Sequence, residues 1–395
     1  MKQIAIVSAK RTPIGKYKGK LRNYSAVELG TTALKGAIES IDIDPSLIEQ
    51  VIFGNVLQSG IGQNSARQIA IKSGIPDTTP AMTINEVCGS GLKAIILGKQ
   101  LIQLGEAKVV AVGGVESMTN APKLILKDGE DPVESFMHDG LTDAFHYVPM
   151  GVTAENIAEK YHVTREMQDE FANHSHAKAA KAVEEGKFDN EIIKMTDAEG
   201  NEMTSDEGIR SNSSVEKLST LKTIFKENGT VTGGNASSIN DGSSALILME
   251  ATFAKEHGFE ILGIVGDYAE VGCDPQYMGY APFYAVEKLL EKTHQNINDI
   301  DIIEMTEAFA AQIKKRKKDL QIKSIPVKDH LKIPDSILNI YGGAIALGHP
   351  IGASGARLVT TLVNALEQEH QHTGIATACI GGGLGIALMI EKGVH

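Results

Sequence analysis

The sequence predicts an α/β protein built from two similar halves, and three observations support this prediction. Short apolar runs that suit buried strands alternate with longer stretches of helical periodicity, as at residues 3–8 and 25–39. A glycine-rich turn, a buried helix, a strand and a glycine cluster occur in this order once in each half. Between the halves, residues 119–240 are richer in charged helical stretches and polar loops, which indicates an inserted segment.

In the first half, strands are predicted from short apolar runs and helices from apolar faces. The run that opens the chain ends before Arg11, where Pro13 and Gly15 favour a turn. Ser25 is a typical N-cap for the first helix, and the second helix is apolar on nearly all faces, which predicts burial. The predicted elements are strands at residues 3–8, 51–54 and 108–112 and helices at 25–39 and 91–104.

The second half contains the same kinds of element in a similar order. A helix rich in small residues follows a glycine-rich turn, and the last predicted strand ends at the glycine cluster 381–383. The predicted elements are strands at residues 261–266, 301–304 and 375–380 and a helix at 352–366. The clearest helix of the inserted segment is predicted at Thr164–Glu185.

This pattern divides the chain into three regions. We predict an N-terminal half of residues 1–118 and 241–258, an inserted loop or lid domain of residues 119–240, and a C-terminal half of residues 259–395. The repeated order of elements makes duplication of one α/β unit the simplest explanation for the two halves.

Composition excludes several classes of protein. The 38 Lys and Arg residues against 50 Asp and Glu residues give a net charge of −12, which disfavours nucleic acid as a partner. No run of 18 apolar residues is present, so no membrane span is predicted. The first residues are strand-like and too short for a signal peptide, which favours a cytoplasmic location.

Three cysteines, Cys88, Cys273 and Cys379, cannot all pair within one chain. They form no Cys-x-x-Cys pattern and no metal-ligand spacing, so we predict free thiols and no metal site. Cys88 lies in a Cys-Gly-Ser-Gly turn before the predicted buried helix, where unpaired N–H groups and the helix dipole favour a thiolate. The alternative is a buried structural cysteine at a tight turn.

Two further residues are candidates for chemistry. His349 lies between Gly348 and Pro350 on a predicted rigid turn, and it suits a base that activates a nucleophile. Cys379 ends a predicted strand, where reactive groups gather in α/β folds. Each also has a structural alternative. His349 would then be a turn histidine bonded to backbone, and Cys379 a small core residue.

Taken together, these three segments resemble the signatures of the thiolase family. The matching blocks are Cys88-Gly89-Ser90-Gly91, Gly348-His349-Pro350-Ile351-Gly352 and Cys379-Ile380-Gly381-Gly382-Gly383, in the family order. Further matching segments extend the resemblance over essentially the whole chain. The resemblance implies a five-layered α-β-α-β-α fold of two duplicated halves plus a loop domain, assembled as a homo-oligomer, either a tetramer or a dimer.

The resemblance also implies catalytic roles. His349 would take the proton of Cys88, which attacks a thioester carbonyl and forms an acyl-enzyme. Cys379 would then remove an α-proton from a second acyl thioester. The N–H groups of Cys88 and Gly381 would stabilise one oxyanion, and His349 with a held water would stabilise the enolate.

Six further residues resemble family positions that bind substrate. Their partners would be acyl-CoA thioesters and coenzyme A as substrates, with no tightly bound cofactor. The residues are Ser237 and its neighbour Ala236 near the pantetheine arm, Met150, Met278 and Phe309 in the acyl pocket, and Arg210 near the nucleotide end of coenzyme A.

One departure concerns the second oxyanion site. The family sequence Asn-Glu-Ala-Phe is replaced by Thr306-Glu307-Ala308-Phe309. The family asparagine positions the water of the enolate site, whereas threonine has a shorter reach and a stiffer χ1. We therefore expect chemistry that is retained but slower or redirected. The nearby basic run 314–318 is predicted to be a solvated helix face.

The resemblance implies reversible condensation of two acetyl-CoA molecules to acetoacetyl-CoA. A degradative 3-ketoacyl-CoA thiolase of longer chains is the neighbouring alternative. A non-catalytic acyl-CoA-binding protein on the same fold is an alternative of another class, motivated by Thr306. An enzyme of the ketosynthase type fits less well, because its second reactive group is a histidine where this chain has Cys379.

Overall fold

The computed structural model describes residues 2–312 and 327–393, so the basic run 314–318 lies outside the described residues. Within the described part of the chain, no helix is long and apolar enough to cross a membrane. The strands are β1 Ile4–Arg11, β2 Gly15–Lys16, β3 Gln50–Gly54, β4 Ala81–Ile84, β5 Val109–Ser117, β6 Lys123–Leu124, β7 Val133–Glu134, β8 Met195–Thr196, β9 Glu202–Met203, β10 Asn240–Glu250, β11 Gly263–Gly272, β12 Ile302–Met305, β13 Thr373–Ile380 and β14 Leu384–Lys392.

The helices agree closely with the apolar periodicity of the sequence. Ser25 caps the first of them by accepting from the backbone N–H of Glu28, and the Glu28 side chain bonds back to Ser25. The helices are α1 Ala26–Glu39, α2 Ser65–Lys72, α3 Ser90–Leu104, α4 Met150–Lys160, α5 Arg165–Glu184, α6 Val215–Ser219, α7 Ala251–Glu256, α8 Ala281–Thr293, α9 Val327–Leu331, α10 Ala344–Leu347 and α11 Ile351–Gln368.

Ten strands form one hydrogen-bonded sheet that consists of two half-sheets. The strand order is β4-β3-β5-β10-β1 and then β11-β14-β13-β12, with β2 beside β10. The half-sheets meet where β1 and β11 pair antiparallel at Ala5–Ile264 and Ile6–Gly263. In the first half-sheet, β10 pairs antiparallel with both β1 and β5, and β5 pairs parallel with β3. In the second, β14 pairs antiparallel with both β11 and β13, and β13 pairs parallel with β12. This shared order and direction supports duplication.

The two half-sheets enclose a middle layer of helices. Helix α3 packs on β3 and β5, while α11 packs on strands of both half-sheets. Helices α1 and α2 cover the outer face of the first half-sheet, and α8 covers the outer face of the second. Alternate residues of β5 enter the two cores, with Val110 and Val112 facing the middle helices and Val109 and Ala111 facing α1. The predicted five-layered α-β-α-β-α fold is confirmed.

The predicted ends of several strands were wrong. Strand β1 continues to Arg11, which pairs with Ser244 of β10, and β5 continues through Gly113 and Gly114 to Ser117. Glycine does not end β5 because it serves packing there: a Cβ on Gly114 would overlap the carbonyl oxygen of Gly352. Strand β11 spans Gly263–Gly272, and β10 and β14 are additional strands.

The segment between the halves supplies α4, α5, α6 and two small hairpins, β6-β7 and β8-β9, outside the large sheet. A buried ion pair attaches it to the first half, because Arg11 bonds Glu191 at 2.6 Å and Asp206 at 2.7 Å. The domain boundaries at 119 and 240 stay a prediction.

Candidate active site

Cys88 lies in a strained turn that leads into α3. The turn spans Val87–Gly89, and Val87 has a φ of 45°, which is costly for a β-branched residue. Three hydrogen bonds hold it: Val87 N–H to Asn85 Oδ1 at 2.9 Å, Glu86 N–H to Ser90 Oγ at 2.8 Å, and Ser90 Oγ–H to the Val87 carbonyl at 2.7 Å. The turn therefore fixes the thiol at the entrance to the helix.

His349 lies on the turn before α11. Gly348 precedes it with a φ of 113°, which favours glycine. The backbone N–H of His349 donates to Asn240 Oδ1 at 2.8 Å, and Asn240 Nδ2 donates to the Gly15 carbonyl at 2.9 Å. The turn of the second half is thus anchored on β10 and β2 of the first half.

A close crossing of α3 and α11 brings the two turns together. A Cβ on Gly91 would overlap the backbone nitrogen of Ala356, and a Cβ on Gly355 would overlap that of Leu92. Because neither glycine has a side chain, the two helix backbones touch directly. The result is a distance of 3.2 Å between His349 Nε2 and Cys88 Sγ.

A hydrogen-bond chain sets the orientation of the imidazole. His349 Nδ1 lies 2.6 Å from Ser354 Oγ, and Ser354 Oγ donates to the Pro350 carbonyl at 2.9 Å. With its only proton directed to Pro350, the Ser354 hydroxyl accepts from Nδ1–H. The unprotonated Nε2 then faces the Cys88 thiol as a proton acceptor.

Burial keeps both groups neutral. It lowers the pKa of His349 to about 4, with the charge of Arg357 as a further cause. The pKa of Cys88 is raised, first by burial and then by Cys379, although the N–H groups of Gly381 and Cys88 favour its thiolate. Desolvation therefore opposes the thiolate that the helix N-terminus favours at Cys88, and it outweighs that influence.

Cys379 lies at the end of β13 and is 1% exposed. It belongs to the same apolar cluster as Met150, Met278 and Phe309. Gln312 Nε2 lies 3.1 Å from its sulfur. Burial raises the pKa of Cys379 to about 11, and a negative charge on Cys379 would raise the pKa of Cys88. The second thiol is thus close to the first but deeper in the protein.

An apolar cavity of about 380 Å³ opens onto Cys88 and His349. Eight of the residues proposed from the sequence line it: Cys88, Met150, Ala236, Ser237, Met278, Phe309, His349 and Gly381. Phe309 and Phe225 pack edge to face with ring centroids 6.2 Å apart. A larger, more polar concavity of about 640 Å³ includes neither Cys88 nor His349.

The other three proposed residues do not line the cavity. The Arg210 side chain is exposed, and its backbone N–H donates to His176 Nδ1 at 3.2 Å. Cys379 and Thr306 are not among the lining residues, and Thr306, which is 1% exposed, directly follows β12. Its N–H donates to the Thr377 carbonyl at 3.0 Å, while its Oγ1 has no hydrogen-bond partner within residues 2–312 and 327–393.

The sequence analysis missed four residues that organise the site: Asn240, Ser354, Gln312 and Glu116. The Glu116 carboxylate accepts from Asn55 Nδ2 at 2.8 Å and from backbone N–H groups that include Gly352 at 2.9 Å, and so joins β5 to the start of α11. Burial raises the pKa of Glu116 to about 7, although these hydrogen bonds lower it. Asn240, Gln312 and Glu116 contact residues far away in the chain and leave no local pattern in a single sequence, whereas Ser354 lies only five residues after its partner His349.

No group of three or more His, Cys, Asp or Glu side chains suits a metal ion in the part of the chain that the structure describes. The chemistry that the site offers is that of a thiol, a neutral imidazole, a second buried thiol and the backbone N–H of Gly381. This combination suits transfer of an acyl group through a covalent thioester.

Comparisons with known proteins agree with this site. Residues 4–252 match the family model of the thiolase N-terminal domain, and residues 259–392 match that of the thiolase C-terminal domain. A Staphylococcus aureus protein described as a probable acetyl-CoA acyltransferase is 46% identical over 403 residues, covering 99% of this chain and 100% of that protein.

Solved structures give the same result. The crystal structure of the Bacillus anthracis acetyl-CoA acetyltransferase is 38% identical with a TM-score of 0.92 and covers 99% of both chains. Human mitochondrial 3-ketoacyl-CoA thiolase in complex with CoA is also 38% identical with a TM-score of 0.92, covering 99% of this chain and 98% of that one. The chain therefore belongs to the thiolase family.

Proposed function

We propose that this protein condenses two acetyl-CoA molecules reversibly to acetoacetyl-CoA and free coenzyme A, through an acyl-enzyme on Cys88. The observation that carries the proposal is the 3.2 Å contact between His349 Nε2 and Cys88 Sγ at an apolar cavity, with Cys379 buried behind it. The substrates would be acyl-CoA thioesters without a bound cofactor, and the active form a homo-oligomer.

In the first half-reaction, His349 Nε2 takes the proton of Cys88 as the sulfur attacks the thioester carbonyl of acetyl-CoA. A bond forms between Cys88 and the acetyl carbon, the bond to the coenzyme A sulfur breaks, and His349 returns the proton to that sulfur. The N–H groups of Gly381 and Cys88 already approach the Cys88 sulfur, so they are available to the tetrahedral oxyanion.

In the second half-reaction, Cys379 takes an α-proton from a second acetyl-CoA. The resulting carbon nucleophile attacks the acyl-enzyme carbonyl, a carbon–carbon bond forms, and the bond to Cys88 breaks. The proton held by Cys379 passes to the expelled Cys88 sulfur, which restores the Cys88 thiol and leaves Cys379 as the thiolate that took the α-proton. Thr306 stands where the family sequence has the asparagine that supports the enolate, and its Oγ1, which has no partner among the described residues, would contribute more weakly.

The apolar wall supports a short acyl chain. Met150, Met278 and Phe309 form one cluster with Cys379 and line the cavity that opens onto Cys88, so bulky side chains limit the space for an acyl chain. The similarity to the Bacillus anthracis acetyl-CoA acetyltransferase is consistent with this preference. A second candidate is cleavage of longer 3-ketoacyl chains, which the cavity of about 380 Å³ and the equally strong likeness to the human 3-ketoacyl-CoA thiolase favour.

A chain-length series tests the proposal. Purified protein is given coenzyme A with acetoacetyl-CoA, 3-ketohexanoyl-CoA or 3-ketooctanoyl-CoA, and kcat/KM is measured for thiolysis. We expect the highest value for acetoacetyl-CoA, no activity in Cys88→Ala, and a shift toward the longer substrates in Met278→Ala. A wild-type preference for 3-ketooctanoyl-CoA would select the second candidate.

A further inference from the structure

Gln312 makes a direct contact with the second thiol. It ends the short turn Ala310–Gln312 that follows β12, and its Nε2 lies 3.1 Å from Cys379 Sγ. The residue is 2% exposed, so water does not compete for the amide. An N–H group directed at sulfur favours the thiolate over the thiol, because it stabilises the charged form.

The orientation of the amide follows from its other end. The backbone N–H of Phe309 points at Gln312 Oε1 at a distance of 3.1 Å. Since Phe309 N–H is a donor, the atom that faces it must be the amide oxygen. The NH₂ group is therefore the end that faces Cys379.

The protein makes room for this arrangement at Gly279. A Cβ on Gly279 would overlap Nε2 and Cγ of Gln312. The turn is also anchored from its own side, because the Ala310 N–H donates to the Asn235 carbonyl at 2.9 Å. The Phe309 N–H, the space at Gly279 and the Asn235 carbonyl therefore all favour the position in which the Gln312 amide faces the Cys379 sulfur.

We propose that Gln312 is a positioning residue that holds Cys379 and stabilises its thiolate during removal of an α-proton from the second acyl thioester. The inference rests on the proposed function and adds to it a group that acts through Cys379 rather than on substrate. In the step, the α-carbon–hydrogen bond breaks, a sulfur–hydrogen bond forms, and the electron pair moves onto the thioester carbonyl as an enolate. The sulfur that accepts from the Gln312 amide thereby changes from a charged thiolate to a neutral thiol.

The titration of Cys379 has few other determinants. Its pKa is raised by burial first, and the Gln312 hydrogen bond is the largest cause that lowers it, followed by its own N–H and opposed by Cys273. Cys88 is the other titratable thiol that interacts with it. Substituting Cys88 with alanine therefore simplifies the measurement.

Deuterium exchange isolates the step. In a Cys88→Ala background, the methyl hydrogens of acetyl-CoA are followed in D₂O by NMR at several pD values. We expect Gln312→Met to slow the exchange about tenfold at neutral pD. The midpoint of the rise in exchange rate with pD should move up by about one unit, because the thiolate of Cys379 loses a hydrogen bond. Gln276→Met, the same change at an exposed position, is the matched control.

A second variant guards against misfolding. Gly279→Ala displaces the Gln312 amide without changing Gln312, and we expect the same shift of the pD profile. With Cys88 present, acetylation of Cys88 should be unchanged in Gln312→Met, because that step does not use Cys379. An unchanged pD profile in both variants, or an equal loss of acetylation and exchange, would overturn the inference. Absence of exchange with Gln312 intact would instead overturn the proposed function.

Discussion

At the reacting centre, the thiol of Cys88 and the imidazole of His349 are both neutral at rest. Burial disfavours the charged form of each, so a preformed thiolate–imidazolium pair would be costly. In the proposed reaction the proton therefore moves as the thioester is attacked, and Ser354 would support this step by fixing the histidine tautomer. The site relies on geometry rather than on a permanently ionised nucleophile.

This charge state predicts a broad pH profile for acylation. Because the pKa of His349 is lowered to about 4, the base form persists as pH falls and is lost only on passing through that value. The rate of Cys88 acetylation, followed by stopped-flow release of coenzyme A, should stay level through pH 6.5 and fall near pH 4. Circular dichroism at each pH identifies any unfolding. A decline centred near pH 6.5 would show an ordinary, solvated histidine.

Thr306 provides a second test at a single residue. Its Oγ1 is buried without a partner in the described part of the chain, so an asparagine amide would extend the polar group toward the enolate site. We expect Thr306→Asn to raise the condensation rate by about tenfold. Removing one oxyanion-hole donor typically lowers the rate by more than tenfold, so restoring part of one should have an effect of this size. Acetylation of Cys88 should not change. A condensation rate equal to or below that of the wild type would mean that Thr306 is already adequate.

At the scale of elements, the crossing of α3 and α11 determines the catalytic distance. Each helix carries one reactive turn at its start, and the glycine contact fixes how closely the two approach. A change of a few tenths of an ångström there is transmitted directly to the thiol and the imidazole. The close-packed interior offers no slack to absorb it.

Gly91→Ala is therefore expected to impair both stability and activity. The added methyl group meets the Ala356 backbone rather than a mobile side chain, so overpacking should cost about 1–3 kcal/mol of unfolding free energy and slow Cys88 acetylation. Urea titration and acetylation kinetics measure the two effects. Gly272→Ala, where a Cβ would have no neighbour closer than 3.9 Å, is the control. Wild-type stability and acetylation rate in Gly91→Ala would show that the helix crossing does not set the distance between Cys88 and His349.

Helices were predictable because their signals are local. The N-cap at Ser25 and the apolar faces of α3 and α11 placed these elements to within a few residues. Strand ends were not, since β5 runs through Gly113 and Gly114 only because β10 pairs with it and α11 packs against it. The same limit applies to the site: the motifs identified Cys88, His349 and Cys379, whereas Gln312 is recognisable only from its contact with Cys379, 67 residues away.

At the scale of the whole molecule, the two halves share the core around the middle layer of helices. Helix α11 of the second half packs on β10 and β5 of the first, and Glu116 of the first half holds Gly352 of the second. The candidate active site lies where the halves meet, with Cys88 from one and His349 and Cys379 from the other. Function and folding therefore depend on the same shared layer.

The shared layer predicts a single unfolding transition. In a Cys88→Ala background, far-UV circular dichroism and the alkylation of buried Cys379 by iodoacetamide should change at the same urea concentration, because losing either half exposes the middle helices. The Cys88→Ala, Cys379→Ala double variant provides the baseline for alkylation of Cys273. Two separated transitions would show that the halves are independent units.

In the proposed reaction Cys88 carries the acyl group, and the mass of the intact protein after brief incubation with acetyl-CoA, measured beside Cys88→Ala, tests this step. We expect an added mass of one acetyl group on the wild type and none on the variant. An unmodified wild type that nevertheless binds acetyl-CoA would contradict it and favour a non-catalytic acyl-CoA-binding protein on the thiolase fold.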